Sequence, residues 1–127
     1  MKRFLLYIVF ILFSLSGSTQ LINFPLNENW TFTEAGKNSW KPAIVPGNIH
    51  RDLLKNNLIA DPTVGENYKS AQWVEKKDWE YNNTFIYPDL AKFKNVELIF
   101  DGLDTYADVF LNDSLILRAE NMFLQYT

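Results

Sequence analysis

Cysteine is absent from this chain, and histidine occurs once, at His50. The first absence rules out disulfides and thiolate chemistry. An exported domain without disulfides is held by its core alone, which suits a bacterial periplasm better than a harsher extracellular setting. The second leaves Ser-His-Asp catalysis and imidazole metal sites resting on a single residue. No Ser lies in a G-x-S-x-G elbow, and a Cys-His pair has no cysteine to use. Positive charge is scarce as well: 12 Lys and Arg face 15 Asp and Glu, a formal net charge of −3. Nucleic acid is thereby excluded as the main partner, since phosphate recognition needs clustered Lys and Arg. Internal repeats and low-complexity tracts are missing too.

What is present begins with "MKRFLLYIVFILFSLSGSTQ", a basic start at Lys2 and Arg3 followed by an apolar stretch from Phe4 to Phe13. Small polar residues follow, as a signal-peptidase site requires. The apolar stretch falls short of the roughly 20 residues a bilayer span needs. Residues 1–19 are therefore expected to be a signal peptide, and 20–127 one exported domain, periplasmic or secreted, with no membrane contact after cleavage. Its removal leaves 10 basic residues against 15 acidic ones. Aromatics make up 16% of the chain, and all four tryptophans, Trp30, Trp40, Trp73 and Trp79, lie after residue 20. Such side chains pack β-sandwich cores and also line sugar sites.

Strand patterns dominate the rest. "NWTFT" places Trp30 and Phe32 on one face, and "DWEYNNTFIY" does the same with Trp79, Tyr81 and Phe85 until Pro88 ends it. "NVELIF" predicts a strand over 95–100 with Val96, Leu98 and Phe100 inward. "TYADVFLND" and "SLILRAE" predict a hairpin across Asn112-Asp113, because both residues tolerate the positive φ of a two-residue turn. One segment differs. "VPGNIHRDLLKNN" offers a Pro-Gly turn, Asn48 as an N-cap, and Ile49, Leu53 and Leu54 on one helical face, with Asn56-Asn57 as the stop. The stretch 58–77 reads as a long loop rich in turn residues, and loops of that length usually have a task. Five or six strands fall short of the seven or more of a closed sandwich. The expectation is an incomplete all-β sandwich with one short helix, the front part of something larger.

The chemistry-bearing residues give few constellations. Asp101, Asp104 and Asp108 are interrupted by Leu103 and Tyr106 and lack the ligand spacing of a calcium loop, so they read as wet strand and turn positions. His50, just inside the helix start, reads as a packing or turn residue. Glu66, Glu75, Asp78 and Glu80 are available for glycoside hydrolysis, yet nothing in the sequence sets two of them at a catalytic separation. Three Asn-x-Ser/Thr triplets, at Asn29, Asn82 and Asn112, lie in or beside predicted strands and carry no functional weight. No catalytic residue, metal ligand or cofactor site is therefore assigned. Sugar binding is the remaining candidate: Asn67, Tyr68, Gln72 and Trp73 combine aromatic faces with amides, as recognition of sugar rings and hydroxyls requires. Asn67 and Trp73 are the expected substrate contacts; the alternative is that Trp73 only covers the end of the sandwich.

Four blocks then occur in order: "VPGNIHRDL", "DPTVGEN", "QWVEKKDWEY" and "FDGLDTYADVFLN". Together they resemble the N-terminal region of β-mannosidases of glycoside hydrolase family 2, over roughly Asn29 to Tyr126. The resemblance implies a jelly-roll, galactose-binding-like sandwich placed ahead of a catalytic barrel. That barrel, whose two glutamates cleave terminal β-D-mannosides with retention, is not in these residues. The chain would then be an accessory part of an exported β-mannosidase and inactive alone, its partners a mannoside or oligosaccharide and the missing barrel. A free-standing carbohydrate-binding module is the alternative. The resemblance also implies that the Gly65-Glu66-Asn67 segment comes nearest the sugar; the family usually has Asn-Glu where this chain has Asn67-Tyr68.

Overall fold

The computed structural model describes residues 21–87 and 89–127, so the signal-peptide reading lies outside the described residues. Two units follow one another, divided between Thr84 and Phe85.

In the first unit, three antiparallel strands form a sheet in the order β2-β1-β3: β1 is Thr31–Glu34, β2 is Lys41–Pro42 and β3 is Trp79–Asn82. The register sets Phe32 opposite Tyr81 and Glu34 opposite Trp79. A two-residue strand persists because Ala43 donates its N–H to the Trp30 carbonyl at 2.9 Å, extending the β1–β2 ladder by one bond. Helix α1, Ile49–Lys55, starts where its sequence says it should: the Asn48 side chain accepts from the Arg51 N–H at 3.0 Å. It stops at Asn56, and Asn57 turns left-handed at φ 56°. Gly47 before it is needed for space, since any Cβ there would run into the Ile44 carbonyl oxygen.

The core of this unit is small and aromatic. Phe32, Leu53 and Val74 are buried together, with Ala43, Ile49, Ile59 and Trp79 packed around them. Phe32 meets Trp79 and Tyr81 at ring-centroid distances of 6.0 Å each, one tilted and one stacked. β1, β3, α1 and the stretch around Val74 are thus held by one cluster, which fixes where Trp73 must stand.

The expected loop 58–77 carries structure of its own. Helix α2, Asn67–Ala71, and a 3-10 turn, Val74–Lys76, lie within it, so the unit has a second short helix beyond the one expected. Ala71 and Val74 are the buried residues of these turns, and they draw the segment onto the core.

The second unit centres on a hairpin of β4, Ala107–Leu111, and β5, Ser114–Ala119. Its turn is the predicted one. Asn112 and Asp113 have φ of 48° and 63°, the two positive values a type I′ turn demands. The pairing slips by one residue between Val109 and Phe110, a bulge that leaves Ile116 as the extra residue of β5. The strand expected over 95–100 does not form. Only Phe100 pairs, with Tyr126, through bonds of 2.9 and 3.0 Å, while Val96 and Ile99 stay exposed. A strand exists only by pairing, and among the described residues none pairs with 95–99. The expected strand from Asp78 to Tyr87 likewise ends at Asn82. Its partner β1 begins at Thr31, and Asn29 before it is left-handed at φ 62°, which breaks the ladder.

Candidate functional site

The side chain that organises the first unit is Asp52, which is fully buried in α1. Its Oδ1 accepts the Ile44 backbone N–H at 2.8 Å, and its Oδ2 accepts the Tyr81 hydroxyl at 2.8 Å. One carboxylate therefore ties the turn before α1 to β3. Both oxygens are used, and a buried charge needs that degree of satisfaction. Sequence reasoning passed over this residue. The signal was there, because Ile49, Asp52 and Leu53 share one helical face, and an acid on a buried stripe is unusual.

Burial, and then the hydrogen bond and charge of Asp52, push the Tyr81 phenol well above the ordinary tyrosine value of 10.0. A group whose folded pKa is raised keeps its proton longer in the folded chain than in the unfolded one. Stability from this source is fully present below about pH 10 and is lost as pH rises beyond it. The expected result is a urea midpoint that falls from about pH 10 upward, the ordinary phenol value, more steeply than in Tyr81→Phe. That variant should itself cost about 1–2 kcal/mol at neutral pH, because Asp52 then loses a donor. Parallel alkaline slopes in the two proteins would contradict it.

Above the core, Trp73 stands 38% exposed with its ring centroid 6.0 Å from that of Trp79. The Trp79 indole N–H is held by the Val74 carbonyl at 3.1 Å, which locks that ring. Together they border a shallow depression of about 240 Å³, shared with Leu58, Thr33, Lys37 and Lys41. Beside it Glu34 accepts Lys37 Nζ at 2.6 Å and Lys77 Nζ at 3.0 Å, and these two bonds hold its carboxyl below the ordinary value.

Asn67, the other expected contact, is placed differently. Its side-chain amide donates to the Asp61 carbonyl at 3.0 Å, bracing the 61–67 loop, and it does not border the Trp73 depression. Asp61 is tied in turn by Thr63, whose N–H and hydroxyl both reach its carboxylate, at 2.9 and 2.7 Å. Asn67 thus opens α2 while Trp73 lies two residues beyond its end, and the two are not brought to one depression.

The three aspartates of the 100–113 stretch are taken separately. Asp101 accepts from Gln125, Asp104 from Thr105, and Asp108 faces Arg118 across the hairpin at 3.5 Å. Among the described residues no three His, Asp or Glu side chains gather as a metal site would require. His50 is half-buried in the first turn of α1.

Comparison with known proteins gives this geometry its setting. β-Mannosidase B of Aspergillus fumigatus is 39% identical over 110 residues, covering 84% of this chain and 13% of that protein. β-Mannosidase B of Aspergillus terreus is 44% identical over 105 residues, covering 80% and 12%. In three dimensions, the β-D-mannosidase of Dictyoglomus thermophilum superposes with a TM-score of 0.74 at 41% identity, over 76% of this chain and 12% of that one. The chain therefore spans about an eighth of the length of the relatives it matches. Its all-β architecture, with short helices and small sheets, is that of an incomplete galactose-binding-like sandwich. The sequence profile described as "Glycosyl hydrolase 2 galactose-binding domain-like" matches residues 30–127, and the chain belongs to that family.

Proposed function

We propose that this chain is the accessory sandwich of an exported β-mannosidase, a protein that hydrolyses terminal β-D-mannose residues with carboxylates outside these residues. The observation that carries the reading is identity of 39–44% to β-mannosidases over about four-fifths of the chain. The first unit supports it physically, because it builds a scaffold rather than a reaction centre: its buried carboxylate is spent on two structural hydrogen bonds. Within that reading, Asn67 and Trp73 are the groups that meet the sugar. The Asn67 amide nitrogen is anchored, so its Oδ1 is oriented for a hydroxyl, and Trp73 offers an exposed ring face. The purified chain should show no turnover of a chromogenic β-mannoside above the buffer rate, and enzyme-like turnover would overturn the proposal.

The exposure of Trp73 favours one further reading, a carbohydrate-binding module in its own right. Calorimetry with manno-oligosaccharides separates the two. Millimolar or tighter binding that weakens about tenfold in Trp73→Ala, the scale of one lost aromatic platform, would support the module. Absence of any heat would leave the accessory role alone.

A further inference from the structure

The depression beside Trp73 carries an imbalance of charge that a neutral sugar does not use. Three lysines lie on or next to it, and one carboxylate serves two of them: Glu34 takes both Lys37 and Lys77. Lys41, which lines the same depression from β2, has no carboxylate partner among the described residues. The surplus is positive in a chain whose formal net charge is −3. It sits against the apolar rings of Trp73 and Trp79, where a charge is screened less than in open water. The exposed Ser39 hydroxyl completes the rim, held from beneath by the buried Thr33 hydroxyl. A ring-shaped ligand with one carboxylate fits every part of this arrangement: its apolar face on indole, a hydroxyl on Ser39, and its acid on Lys41.

We propose that this depression binds an acidic pyranose, a uronic-acid residue, through stacking on Trp73 and ion pairing with Lys41. The inference rests on the reading of Trp73 as a sugar platform and adds the class of sugar. A depression of about 240 Å³ admits one such ring and not an extended oligosaccharide. The contact is half-exposed, so the preference it supplies is modest and falls with ionic strength.

Tryptophan-fluorescence or NMR titration of the full chain with methyl β-D-glucuronide and methyl β-D-mannoside tests it. The glucuronide should bind about threefold to fivefold more tightly at low salt, the range of one half-exposed ion pair. That preference should vanish in Lys41→Gln, persist in Lys41→Arg, and shrink in high salt. Circular dichroism of both variants shows whether the fold is kept, and the arginine variant keeps the proposal answerable if the glutamine one unfolds. Equal affinity for the two sugars, or a preference that survives Lys41→Gln, overturns the acidic-sugar inference and leaves Trp73 as a neutral platform. Failure of both sugars to bind overturns the inference and the platform together. Binding of the glucuronide alone, lost with Lys41, supports the inference and removes the mannoside contact.

Discussion

Asp52→Ala is expected to destabilise the first unit by about 3–5 kcal/mol, the scale of breaking a buried, hydrogen-bonded charge site. The truncation strands two donors at once, the Ile44 N–H and the Tyr81 hydroxyl, both of which now point at a carboxylate 2.8 Å away. Each unsatisfied donor costs about 1–3 kcal/mol, and the emptied space adds to that. Asp52→Asn retains the shape and one acceptor, so about half of the loss should return. A double-mutant cycle with Tyr81→Phe isolates the phenol bond and should give a coupling of about 1–2 kcal/mol. Urea denaturation followed by far-ultraviolet circular dichroism measures all three. A near-neutral Asp52→Ala would mean that water reaches the carboxylate and that the three-way tie is not the organising contact.

Phe32→Ala should have a comparable effect, about 3–5 kcal/mol, by a different mechanism. Phe32 is 1% exposed and clusters with Leu53 and Val74, with the Trp79 and Tyr81 rings each 6.0 Å away. Few buried side chains share the load here, so neighbours cannot easily collapse into the gap. Phe32→Leu refills most of the volume and should cost about 1.5 kcal/mol. Near-ultraviolet dichroism reports on the same event, because the Trp79 ring loses its asymmetric neighbour. An alanine variant with an unchanged urea midpoint and unchanged aromatic signals would show that the cluster does not hold the sheet.

The parts of this fold that are legible in the sequence are those specified over a few residues. The hairpin follows from Asn112-Asp113, two residues that accept positive φ, and α1 follows from the Asn48 cap and the spacing of Ile49 and Leu53. What depends on distant partners was not legible. The alternation of 95–100 is as regular as that of β4, yet only Phe100 finds a pairing strand. Helix α2 is five residues long and has no side-chain cap, so neither periodicity nor a start signal marks it. Of the candidate site, Trp73 was visible as an aromatic among turn residues. Asn67 was visible as an amide, but its bond to the Asp61 carbonyl could not be inferred from one dimension. Lys41 carries no pattern at all, since its meaning comes from Glu34 already being occupied by two other lysines.

The pairing of Thr31 with Asn82 spans 51 residues, whereas β4 and β5 meet across a two-residue turn. Ribosomes add about 5–20 residues per second, so β1 waits on the order of several seconds for β3 to be synthesised. The hairpin, in contrast, can zip within microseconds of emerging. During that wait Trp30 and Phe32 lie bare on the nascent strand, which makes β1 a segment for a holding chaperone to cover.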